Sequence, residues 1–115
     1  MRQAGVLAAA GIVALDGMVG RLGEDHSRAR ALARLLAAVP GLVVENPVPV
    51  SNMVYLSLDE SVGLSGRDMG ARLEEKGVKV GAVGRRRFRL VTHYWIGDAQ
   101  VEAAVAAFTQ ILASL

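Results

Sequence analysis

The chain has 115 residues, of which 52% are hydrophobic and 21% charged, a balance that suits one folded domain rather than a disordered segment. A formal net charge of +2 is too small to imply a nucleic-acid or membrane partner, and the lack of cysteine excludes disulfides, thiolate nucleophiles and cysteine-ligated zinc while suiting a reducing compartment. Only 4% of the residues are aromatic, so there are few platforms for stacking a base or a sugar.

In chain order, residues 3–38 read as helix, either one bent helix or two. Ala4 to Leu15 has no polar face, the pattern of a helix buried on every side. The run is shorter than the roughly 18–20 residues that span a bilayer. Arg2 ahead of it imitates a secretory signal, but no small-x-small cleavage site follows Leu15, and a buried helix is the plainer reading. Gly17, Gly20 and Gly23 follow at three-residue spacing. Each costs up to ~1 kcal/mol relative to Ala inside a helix, so a bend or break is expected there. Glu24 to Ala38 is amphipathic: Ala29, Leu32, Ala33 and Leu36 share a stripe, and Arg28, Arg30 and Arg34 lie off it. Pro40-Gly41 ends the helix.

Leu42 to Glu45 reads as a short strand, and Asn46-Pro47-Val48-Pro49 as a loop or edge. The clearest strand is Asn52 to Leu58, with Val54, Leu56 and Leu58 on one face. Ser65 has the form of an N-cap for a helix that carries Met69 and Leu73 and closes at Gly77. Val78 to Val80 reads as a strand, Gly81 to Gly84 as a turn, and Arg87 to Thr92 as a strand with Phe88, Leu90 and Thr92 on one side and Arg87, Arg89 and Val91 on the other. A last helix begins at Gly97-Asp98, with Val101, Ala104, Val105, Phe108, Ile111, Leu112 and Leu115 at helical spacing. This order predicts an α+β fold: a small, mostly antiparallel sheet with helices packed on one face, preceded by a long N-terminal helical segment.

The most unusual stretch is GRRRFRLVTH, Gly84 to His93, with Arg85, Arg86, Arg87 and Arg89 inside five residues. One reading is a nucleic-acid patch, though the aromatic residues expected beside it are missing. Another is anion capture, because a strand arginine presents a planar fork of donors that matches a carboxylate. The plain reading is a solvated turn, which suits Arg85 and Arg86. Arg89 sits between Phe88 and Leu90 in a strand expected to be half buried, where a guanidinium would need an anionic partner. His93 could act as a general base, but a local backbone bond is the plainer role. Glu24 and Asp25 are adjacent on a helix and point apart, so they make a poor acid/base pair. Lys76 and Lys79 are the only lysines, both at polar junctions that would not depress an amine pKa. Metal-ligand spacing, a glycine-rich phosphate loop and a nucleophile elbow are all absent from the sequence.

Five stretches together are similar to the low-specificity L-threonine aldolases. These are Met1 to Leu15 (MRQAGVLAAAGIVAL), Arg21-Leu22 with Glu24-Asp25-His26, Asn52-Met53-Val54, Gly77-Val78 with Val80, and Arg89 to His93 (RLVTH). They occur in the family's order and spacing across essentially the whole chain. The chain departs from the pattern at Gly17, Gly20 and Gly23, at Arg85 to Arg87, at Tyr94-Trp95, and at Gly97 in place of a serine cap.

The resemblance implies a lyase dependent on pyridoxal 5'-phosphate (PLP), with the aspartate-aminotransferase fold. It would split L-threonine or L-allo-threonine into glycine and acetaldehyde. It implies that Arg89 binds the substrate carboxylate and that Arg2 approaches the cofactor, near its phosphate. No catalytic residue and no metal ligand is assigned within the chain. The Schiff-base lysine, the ring-stacking histidine and the phosphate loop of the family would precede Met1, so the chain is expected to be the C-terminal portion alone. PLP is then not expected to attach covalently to it. Residues 1–38 would connect from the missing large domain and residues 39–115 would form the small α+β domain. The expected setting is a cytoplasmic homo-oligomer acting on an amino acid, with no nucleic-acid or membrane partner. The alternative is a stand-alone α+β module for binding or assembly, without catalysis.

Overall fold

The computed structural model describes residues 19–93 and 95–115. A short 3-10 turn, Val19–Arg21, leads into helix α1, Leu22–Ala37. Strands β1, Leu42–Val44, and β2, Met53–Leu58, follow. Next come helix α2, Gly66–Glu75, strand β3, Gly81–Ala82, strand β4, Arg87–Val91, and helix α3, Asp98–Ala113. The sheet has the order β1-β2-β4-β3, and each of its three pairings is antiparallel.

The α+β prediction therefore holds, with the helices on one side of the sheet. Alternation along the strands decides which side. On β2, Val54, Leu56 and Leu58 are buried and the residues between them are not. On β4, Phe88 and Leu90 point inward while Arg87, Arg89 and Val91 are exposed. The inward residues meet Ala29, Leu32, Ala33 and Leu36 of α1, Met69 and Leu73 of α2, and Val101, Phe108 and Ile111 of α3 in one core. Phe88 and Phe108 are both fully buried and meet edge to face at 6.3 Å. Each such side chain contributes about 1.5–3 kcal/mol by leaving water.

Three local expectations change. Helix α1 begins before Gly23, so that glycine does not break it. A Cβ at Gly20 or Gly23 would touch nothing within 4 Å, so neither residue marks a close approach. The third strand is Gly81–Ala82, not Val78 to Val80, and the turn falls after it. The reason lies in the end of α2. Gly77, at φ +81°, donates its N–H to Glu74 O, and Val78 donates to Leu73 O at 2.9 Å. This is a Schellman closure, which engages the Val78 N–H before any ladder can form. Finally, α3 ends at Ala113, leaving Leu115 exposed, while Ala107 joins the buried set.

The caps that were legible are present. Ser65 Oγ accepts the Asp68 N–H at 3.1 Å. Gly97 has no side chain to offer α3, but its own N–H donates to Gln100 Oε1 at 2.9 Å. Gly41, at φ +96°, makes the turn from α1 into β1, where a Cβ would lie 3.0 Å from Val62 Cγ2. Among the described residues no helix is long and apolar enough to cross a membrane.

Candidate functional site

One face of the sheet is covered by helices. The other carries a compact polar group built by cross-strand register. Arg89 on β4 lies directly opposite Tyr55 on β2 and opposite Gly81 on β3. Arg87, two residues earlier on the same face, reaches across β2 to the end of β1. Its Nε donates to Glu45 Oε1 and Oε2 at 3.0 and 2.8 Å, and its Nη2 lies 2.8 Å from Oε2. On the way its guanidinium carbon stands 4.9 Å from the centroid of the Tyr55 ring, a cation–π contact. The backbone sets this crossing, since the Glu45 N–H donates to Tyr55 O at 2.8 Å and places Glu45 one step past the β1 ladder.

Arg89 is different. It is exposed, not half buried, because it alternates with Phe88 and Leu90, and those two take the core side. Desolvation therefore does not require a partner for it, and its guanidinium has no hydrogen bond or ion pair among the described residues. It stands on this face as a strand-held cation with Tyr55 on one side. On the other side is Gly81, which has no side chain to place beside it.

The four clustered arginines thus take separate places. Arg86 is not part of a solvated turn. It is half buried, and its guanidinium donates to Asp59 O at 2.5 Å, Val62 O at 2.6 Å and Leu64 O at 3.3 Å, closing the loop between β2 and α2. Nearby, the Ser61 N–H and hydroxyl donate to the Asp59 carboxylate and hold it below its ordinary pKa, with Arg86 adding a favourable charge. Arg85 is exposed and lines an open depression of about 710 Å³ with Ser65 and Arg67, to which Arg89 does not contribute.

His93 is exposed and accepts the Trp95 N–H on Nδ1 at 3.2 Å, which is the local backbone bond expected of it. Sequence reasoning overlooked what Asp25 does. Its carboxylate is buried and accepts two bonds of 3.0 Å from the Arg21 guanidinium. The backbone carbonyl of the same residue accepts from Thr92 Oγ1 at 2.7 Å, and Thr92 O accepts from Asn52 Nδ2 at 2.8 Å. The start of α1 is therefore tied to the end of the strand that bears Arg89. The signal was present as an Arg and an Asp four residues apart on a helix.

Neither lysine fits a Schiff-base site. Lys76 Nζ donates to Gln110 Oε1 at 3.1 Å, and Lys79 lies 3.8 Å from Glu74 with most of its side chain in solvent. Both are exposed, and neither stands in the dry, enclosed pocket that a Schiff-base lysine requires. The described residues thus do not fit a covalent PLP site, and no chemical step is assigned to that group within them. Among the described residues there is also no cluster of His, Asp and Glu that could hold a metal ion. Arg2 and the apolar run from Ala4 to Leu15 lie outside the described residues.

The sequence model of the Beta-eliminating lyase family matches residues 1–59. The chain belongs to the Beta-eliminating lyase family. Among curated relatives, this chain is 36% identical over 114 residues to the "Probable low-specificity L-threonine aldolase 2" of Arabidopsis thaliana, covering 99% of this chain and 32% of that protein. It is 33% identical over 113 residues to the "Low specificity L-threonine aldolase" of Escherichia coli, with 98% and 32% covered. It thus spans about a third of the length of the curated relatives it matches. A solved C-DES mutant with glycine covalently linked to its PLP cofactor superposes with a TM-score of 0.73 at 20% identity, covering 91% of this chain and 28% of that one. The chain therefore shares its fold with part of that PLP-bound protein.

Proposed function

We propose that this chain carries the substrate-carboxylate grip of a PLP-dependent threonine aldolase, which cleaves L-threonine or L-allo-threonine to glycine and acetaldehyde. Arg89 supplies the grip. Its fork of donors matches the two oxygens of an amino-acid carboxylate, and a strand paired on both edges fixes where the fork stands. The observation that carries this reading is that the guanidinium is held on an open sheet face, with no anionic partner among the described residues.

Magnitudes say what else is needed. An ion pair in open water is worth only ~0–1 kcal/mol, too little to orient a substrate. Excluding water strengthens the same pair severalfold. The exposed face of the sheet is thus the side on which a larger domain would sit, and the relatives, about three times as long as this chain, have room for one. In this reading residues 1–38 connect to that domain and residues 39–115 form the small domain, with α1 lodged on its sheet. The domain brings the Schiff-base lysine, and Arg2 approaches the cofactor phosphate. The assembled enzyme is a cytoplasmic homo-oligomer. PLP, when bound, supplies the electron sink for breaking the Cα–Cβ bond.

The test is steady-state cleavage of L-threonine by the chain expressed with the in-frame coding sequence upstream of Met1. Arg89→Met is expected to raise KM by about 30-fold or more, the cost of removing a buried charged partner. Arg89→Lys should recover only part of the loss, because a point charge cannot make the bidentate contact. An unchanged KM in Arg89→Met defeats the proposal.

A further inference from the structure

We propose that Glu45 is a specificity-determining residue, which engages Arg87 so that the site accepts amino acids bearing one carboxylate and disfavours those bearing two. The inference rests on the reading of Arg89 as the carboxylate grip. Arg87 and Arg89 alternate along one face of β4, which places their Cα atoms about 6.5 Å apart. That separation is comparable to the span of an extended four-carbon diacid. Two free arginines at this Cα spacing could each hold one carboxylate of such a diacid.

Among the described residues only one of them, Arg89, is without a hydrogen bond or ion pair to its guanidinium. The Arg87 guanidinium meets Glu45 and Tyr55 among the described residues, with both carboxylate oxygens engaged. Tyr55 stands under the Arg87 guanidinium and lies opposite Arg89 in the strand register, so it borders both arginines. Stability does not explain the pair well. The Arg87 and Glu45 side chains are 47% and 36% exposed, a setting in which ion pairs contribute little to folding. As a selector the pair has a larger effect, because it removes one cation from the face and sets a carboxylate where a second substrate carboxylate would come. A like charge there repels the wrong ligand, and discrimination of this kind commonly uses a repulsive element.

The test uses the full-length enzyme and two amino acids that lack a β-hydroxyl and are not cleaved, L-alanine and L-aspartate. Each is measured as a competitive inhibitor of threonine cleavage. Glu45→Gln keeps the size of the side chain and removes its charge. The ratio of the aspartate Ki to the alanine Ki is expected to fall by about three- to tenfold. Adding Arg87→Met to that variant should return the ratio toward its starting value, which a merely structural role of Glu45 would not do. A ratio unchanged in Glu45→Gln, while Arg89→Met weakens both inhibitors, overturns the selector and leaves the Arg89 reading standing. If Arg89→Met weakens neither, both readings fall together. Thermal melting of each variant confirms that the compared proteins are folded.

Discussion

Arg86 donates to the carbonyls of Asp59, Val62 and Leu64, so the loop between β2 and α2 closes around a guanidinium instead of around an apolar side chain. Hydrogen bonds from a charged donor are worth about 1.5–3 kcal/mol each when sheltered, and less where water can replace them. Arg86→Ala is therefore expected to lower the unfolding free energy by about 2 kcal/mol, read from urea melts. Amides near 59–64 should lose hydrogen-exchange protection before those of β2 do. Arg87 and Arg89 are neighbours of Arg86 in sequence and share its chemistry. Their roles differ because one meets Glu45 across two strands and the other meets a glycine.

At the scale of elements, α2 is placed by its first residue. Gly66 donates to Arg85 O at 2.6 Å, and a Cβ on it would stand 2.7 Å from that same oxygen. At Gly66 the helix start and the β3–β4 turn touch backbone to backbone. Gly66→Ala should force them apart and cost about 1–3 kcal/mol. Gly70, one turn later in α2, is the control. Nothing lies within 4 Å of its would-be Cβ, so Gly70→Ala should stabilise by about 0.5–1 kcal/mol. Thermal melts of the two variants should move in opposite directions. The same glycine type at two positions in one helix thus carries opposite expectations, and only the neighbour across space separates them.

For the whole molecule, the tie between α1 and the sheet matters most. Asp25 is buried at the start of α1, paired with Arg21, and its backbone carbonyl holds Thr92 at the end of β4. Removing the carboxylate takes away the acceptor of two charge-assisted bonds in a largely dry site, which typically costs about 2–4 kcal/mol. Asp25→Ala should show that loss in chemical denaturation. Under the proposed function it should also raise the threonine KM of the longer enzyme, since α1 anchors the strand that carries Arg89. A large loss of stability with an unaltered KM would confine Asp25 to a structural role. The exposed face of the sheet and the core face differ in kind at this scale. One is closed by apolar packing, and the other holds its polar groups by register and is exposed.

Periodicity and caps by themselves determined the elements and the sides they bury. Val54, Leu56 and Leu58 alternate with polar neighbours, Ala29, Leu32, Ala33 and Leu36 recur at helical spacing, and Ser65 announces α2. Each of these is a local property of consecutive residues, so it survives in one dimension. The ordered motifs pointed to the family for a related reason, since spacing along a chain is itself sequence information. What only the tertiary structure decided is the partner of each charge and the place of β3. The ladder position of Gly81–Ala82 depends on where the Schellman closure of α2 uses the Val78 N–H. That Arg89 has no anionic partner among the described residues depends on Glu45 standing two strands away beside Arg87. The Arg87–Glu45 contact joins residues 42 positions apart, brought together by hydrogen-bond register, and no spacing within a short motif encodes it.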